Sequence, residues 1–143
     1  MSTSAVQISN LLYRYAECLD SGQLVEASEL FSHARIKVQS RELLDHTALL
    51  GIWQQRIKIY PCGTPRTKHV ISNPIIEIDE TSGTATVRTY YTVLQATHTL
   101  PLQPIAVGRY FDEFERVSGV WRFSFRDYSK LEMMGDLRGH LLI

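Results

Sequence analysis

The sequence predicts an α+β fold: a short run of helices wrapped by a curved antiparallel β-sheet, cone-shaped, enclosing a small apolar pocket. Three observations carry this prediction. Helical periodicity is confined to the residues before Pro61, while β-branched and aromatic residues concentrate in four runs after Arg66. No strand–helix–strand alternation occurs, so the strands pair as hairpins with the helices packed on one face. Asn73-Pro74 falls inside the first long strand, where proline belongs at an edge or a bulge, and a bulge bends the sheet.

The elements follow in order. Over residues 5–19, Ile8, Leu11, Leu12, Tyr15, Ala16 and Leu19 recur at steps of three and four, the stripe of a helix burying one face. Ser21-Gly22 ends it, and Leu24, Ala27, Leu30 and Phe31 begin a second, shorter stripe. Ile36-Lys37-Val38 fits an edge strand. Leu43, Leu44, Ala48, Leu49, Ile52, Trp53 and Ile57 then predict a third helix that stops before Pro61. The four strands are expected over residues 67–79, 84–96, 104–117 and 120–128. Glu80-Thr81-Ser82-Gly83 and Ser118-Gly119 supply turn chemistry between them, and a longer link contains Pro101. One domain spanning residues 1–143 accounts for the whole sequence.

Composition narrows the function classes. With 44% hydrophobic and 21% charged residues, the chain has the makeup of a folded globular protein. Its 15 basic residues are matched by 15 acidic ones, so the basic stripe of a nucleic-acid binder is absent. No stretch is long enough to span a bilayer, and the first residues lack a secretory pattern. Cys18 and Cys62 show neither metal-ligand spacing nor a disulfide framework, which points to a reducing cytoplasm. His33, His46, His98 and His140 do not group at metal-ligand spacing, and no metal or other cofactor is expected.

Several segments, in order and wording, resemble the nuclear transport factor 2-like superfamily of cystatin-like rolls, within it the SnoaL-like branch. They are Tyr15-Ala-Glu-Cys-Leu-Asp20, Thr67-Lys-His69, Asn73-Pro-Ile-Ile-Glu-Ile-Asp79, and Gly108-Arg-Tyr-Phe-Asp-Glu-Phe-Glu-Arg116 leading to Gly119-Val-Trp-Arg-Phe123. The superfamily includes scytalone dehydratase, hexachlorocyclohexane dehydrochlorinase and the β subunits of ring-hydroxylating dioxygenases. Fold transfers through such a likeness more readily than function. The likeness to the dehydratase and dehydrochlorinase implies that Asp20, closing the first helix, meets His69, opening the long strand. A carboxylate on one imidazole nitrogen fixes the tautomer and leaves the other nitrogen to act as general base toward a carbon acid. Asp20 follows Ala16 by four positions and so continues the buried stripe, which places the pair at the inner wall of the largest pocket.

The same resemblance assigns Arg126 a catalytic place, stabilising a departing anion or an enolate oxygen. Strict alternation opposes this, because Trp121, Phe123 and Phe125 share one face and Arg126 takes the other. Either a bulge intervenes, or the pocket lies on the Ser124 and Arg126 side. Tyr15 matches a polar active-site position, while Trp53, Tyr91 and Tyr110 are candidate pocket walls that bind substrate. At the places where scytalone dehydratase carries further catalytic groups, this chain has Leu19, Val38, Gln95 and Tyr110, which argues against that particular reaction. Three readings remain open: a cofactor-independent lyase or isomerase acting on a small apolar ring compound, a non-catalytic binding or assembly subunit like a dioxygenase β subunit, and a structural dimer module with an empty pocket. Apolar residues on both alternations of the sheet, as in Tyr90 beside Tyr91, predict a homodimer, with a trimer as the alternative.

Overall fold

The computed structural model describes residues 2–39 and 41–142, and within these it contains three α-helices and six β-strands. Helix α1 (Ser4–Asp20) is capped by Thr3, whose side chain accepts from Val6 N–H. It buries Ile8, Leu12, Tyr15 and Leu19 along one stripe. Gly22 turns the chain at φ +78°, and a Cβ there would meet the Gly63 carbonyl oxygen at 2.1 Å, so glycine is required on both counts. Helix α2 (Leu24–Glu29) leads to strand β1 (Arg35–Lys37).

Leu43 and Leu44 do not begin the third helix. They form the short strand β2 (Leu43–Leu44), antiparallel to β1. The reason is local: the Asp45 carboxylate accepts from Ala48 N–H at 2.9 Å and so caps helix α3 (His46–Arg56) two residues later than hydrophobic spacing alone suggests.

Strands β3 (Thr67–Asp79), β4 (Thr84–Gln95), β5 (Gln103–Val117) and β6 (Val120–Met134) form successive antiparallel hairpins. The sheet order is β2-β1-β6-β5-β4-β3, with β1 joining β6 in parallel. The bulge expected at Asn73-Pro74 is present: the register shifts between Ser72 and Ile75, and Asn73 takes φ +54°. Strand β6 runs six residues past the predicted end, to Met134, through further register shifts. On the concave face Val87, Tyr91, Val93, Tyr110, Phe114, Trp121 and Phe123 join the α1 stripe, Phe31 and Trp53 in one core. No helix among the described residues is long and apolar enough to cross a membrane.

Candidate functional site

The last residue of α1 meets the opening of β3. His69 Nδ1 lies 2.6 Å from Asp20 Oδ1, and the His69 backbone N–H donates to Asp20 Oδ2 at 2.7 Å. Thr67 Oγ1–H also donates to Asp20 Oδ1, at 2.9 Å. Three donors from one strand end fix the carboxylate, and the two side chains are only 8% and 6% exposed. Because Asp20 accepts, Nδ1 carries the proton and Nε2 is left as the proton-accepting nitrogen.

His69 forms part of the wall of a cavity of about 250 Å³ between the helices and the concave face. Trp53 from α3, Tyr91 from β4 and Tyr110 from β5 line it as well, and the remaining lining is mostly aliphatic. Larger concavities of about 580 and 600 Å³ lie on the outer face of the sheet, around Arg88 and Tyr90 and around Glu77 and Glu113. The expectation that the pair borders the largest pocket is therefore corrected. A convex, polar sheet surface leaves wide open grooves between its side chains, whereas the closed end of the cone is narrowed by apolar packing.

Asp20, Tyr15 and Arg126 do not line this cavity. Arg126 is fully buried and pairs with Asp112 in two hydrogen bonds, Nε to Oδ1 at 2.7 Å and Nη2 to Oδ2 at 3.1 Å. Its guanidinium lies 3.8 Å from the Tyr110 ring centre and 4.3 Å from that of Tyr15. It reaches this position through a bulge: Phe125 pairs with Glu113 but Phe123 with Phe114, so Ser124 is extra and parity inverts. Trp121 and Phe123 precede the inversion and Arg126 and Tyr128 follow it, yet all four face inward.

Beneath the cavity Tyr15 Oη contacts Tyr110 Oη at 3.2 Å and also bonds Tyr128 Oη. Burial pushes the Tyr15 and Tyr110 hydroxyls well above their ordinary range, with Arg126 opposing, and pushes Tyr91 up to about 12. These hydroxyls are therefore neutral hydrogen-bond donors. Tyr91 stacks on Tyr110 with centroids 4.4 Å apart and lies across Gly108, where a Cβ would sit 2.6 Å from Tyr91 Oη and 2.4 Å from the Lys130 carbonyl oxygen.

Three residues of the site escape the sequence reading. Tyr128 and Asp112 were hidden by the parity break in β6 and by the cross-strand origin of the ion pair. His140 lines the cavity from the segment after β6, with its ring centre 6.4 Å from that of His69. Burial, then the neighbouring His69, lower its pKa to about 4, against an opposing pull from Asp20. Among the described residues, no group of three or more His, Cys, Asp or Glu is placed to hold a metal ion.

The profile of the SnoaL-like domain family matches residues 2–127. No curated protein matches the sequence. Many solved structures are similar in fold, among them the following three. A proposed scytalone dehydratase from Novosphingobium aromaticivorans is 21% identical over 92% of this chain and 86% of its own, with a TM-score of 0.68. A protein of unknown function with a cystatin-like fold from Nostoc punctiforme is 16% identical over 91% and 92%, at 0.69. The β subunit of a proposed aromatic-ring-hydroxylating dioxygenase from Novosphingobium aromaticivorans is 16% identical over 96% and 95%, also at 0.69.

Proposed function

The chain belongs to the SnoaL-like domain family, and on that premise we propose that it is a cofactor-independent lyase or isomerase, of dehydratase or dehydrohalogenase type, acting on a small, largely apolar ring compound. The observation that carries this reading is the 2.6 Å contact of Asp20 with His69 at the wall of an apolar cavity. His69 Nε2 removes a proton from a ring carbon, and Asp20 stabilises the imidazolium that forms. Trp53, Tyr91 and Tyr110 hold the ring by contact and stacking. Arg126 acts at second hand. Its charge, set behind Tyr110 and Tyr15, favours negative charge developing above those hydroxyls, so it serves as a positioning residue. A reducing compartment such as the cytoplasm suits its two free cysteines.

Proton abstraction can be read without the natural substrate. In D₂O, the wild-type protein should speed deuterium uptake at the α-carbons of 2-tetralone, followed by NMR, and His69→Ala should return the rate to that of buffer. Exchange unaffected by His69→Ala would remove the general-base role.

The outer face favours a second copy of the chain as partner. Val70, Ile75 and Tyr90 are exposed there, with Tyr90 51% accessible. Charges on this face pair within one chain, Arg109 with Glu132 at 3.1 Å and Arg122 with Glu115 at 2.8 Å, which leaves the apolar side chains as the part in need of cover. A two-fold contact that covers these apolar side chains gives a homodimer. The alternative function, a non-catalytic binding or assembly subunit, would use this same face against a different chain.

A further inference from the structure

We propose that His140 is the polar anchor of the cavity, its imidazole hydrogen-bonding to the hydroxyl or carbonyl oxygen of an uncharged ligand of one or two rings. The proposal rests on the cavity being the ligand site of the function proposed above, though not on His69 performing any turnover.

The chain fixes this residue from several sides. Gln95 Nε2 donates to the Gly139 carbonyl oxygen at 3.0 Å, Lys58 N–H to that of His140 at 2.8 Å, and Leu142 N–H to that of Arg56 at 2.8 Å. The Tyr60 hydroxyl also donates to the Gly139 carbonyl. What this anchored segment delivers to the cavity, beside the apolar Leu137 and Leu141, is an imidazole. His140 is 9% exposed; its Nδ1 is packed against protein without a hydrogen-bond partner, so a ligand oxygen in the cavity would meet the ring through Nε2. A leucine or phenylalanine would fill the same space with no stranded nitrogen, and a buried polar atom left unpaired costs stability.

Several other polar groups on the wall are already engaged. His69 is bonded to Asp20, and the Tyr110 and Tyr128 hydroxyls to Tyr15. Ligand size follows from the volume, since about 250 Å³ lies just under the roughly 300–1,000 Å³ of pockets for drug-sized molecules. Charge selection follows from the neighbours. The Arg126–Asp112 pair is neutral overall and Asp20 brings a negative charge, so an anionic ligand is disfavoured inside, and Arg56 stands only at the exposed rim. The two imidazoles lie 6.4 Å apart between ring centres, a span that a one- or two-ring ligand covers.

The test uses two probes that differ by one hydroxyl, 2-naphthol and naphthalene, titrated by fluorescence against the full-length protein. Wild type should bind 2-naphthol about tenfold more tightly than naphthalene, the effect of one neutral hydrogen bond. His140→Phe should erase that preference while leaving naphthalene affinity unchanged, and His140→Gln, which keeps a donor and an acceptor, should retain part of it. In ¹⁵N NMR, the His140 ring nitrogens should shift on adding 2-naphthol and not on adding naphthalene. The proposal is overturned if His140→Phe keeps the preference, if it weakens both probes equally, or if neither probe saturates the wild-type protein. It is overturned as well if His69→Ala is the variant that abolishes the preference. A preference that survives alongside failed deuterium exchange would sink the catalytic reading and leave the anchor standing.

Discussion

Changing Asp112 to Asn tests the interior of this fold most sharply. The carboxylate and Arg126 are both fully buried and joined through two hydrogen bonds. Burial pushes the Asp112 carboxyl up, while Arg126 pulls it back. Burial also opposes the Arg126 charge, but Asp112 outweighs it and holds the guanidinium protonated. Asparagine preserves shape and one acceptor but strands that charge. Removing one partner of a buried pair costs about 3–5 kcal/mol, and the rings of Tyr110 and Tyr15 can return at most about 2 kcal/mol by cation–π attraction. The expected net loss is about 3 kcal/mol, a large share of the 5–15 kcal/mol typical of a domain. Urea unfolding followed by tryptophan fluorescence measures it. Replacing both members, Asp112→Leu with Arg126→Met, should recover most of the loss, since packed apolar side chains substitute for a buried pair at little cost. A loss below about 1 kcal/mol for Asp112→Asn, or a double variant no better than the single, would show that the charge is solvated and the argument mistaken.

Other expectations follow from the same geometry. Gly108→Ala forces its Cβ against the Lys130 carbonyl and the Tyr91 ring, so it should cost about 2 kcal/mol by overpacking, read as a lowered Tm. His140, with a folded pKa of about 4 against an ordinary 6.5, binds protons less readily folded than unfolded. Its contribution is therefore full above pH 6.5 and falls as pH drops toward 4, by roughly 3 kcal/mol. Urea midpoints measured across that window should fall less steeply for His140→Phe than for wild type. Light scattering should return a mass above the 16.4 kDa of one chain, and Tyr90→Glu on the outer face should lower it to that value. A monomeric wild type would refute the proposed pairing.

Much of the architecture is legible because its signals are local. The α1 stripe, the turn at Glu80-Thr81-Ser82-Gly83 and the bulge at Asn73-Pro74 are each written in a few adjacent residues, and β3 begins and ends where the pattern places it. Leu43 and Leu44 mislead because apolar spacing continues across a strand and a cap into the helix, and only the Asp45 carboxylate marks the boundary. The meeting of Asp20 with His69 was reached from family resemblance, and His140 was not reached at all. Its place depends on a segment folding back against Lys58, Gln95 and Arg56, contacts that no periodicity records.

The extra residue at Ser124 is the first of three register shifts along β6, and it reverses the strand's phase between Phe123 and Phe125. The stretch before it, carrying Trp121 and Phe123, answers to the hydrophobic core, and the stretch after it, carrying Arg126 and Tyr128, answers to the tyrosines beneath the cavity. Deleting Ser124 would rotate one piece against the other and turn Arg126 toward solvent, exposing Tyr15 and Tyr110 to the loss of their cation. With the bulge kept, Arg126 meets Asp112 across the sheet, and Tyr128 and Leu131 beyond it reach the cavity wall. The strand thus behaves as a coupling between two gears, meshed on one side of the slip with the helices and on the other with the buried charges of β5.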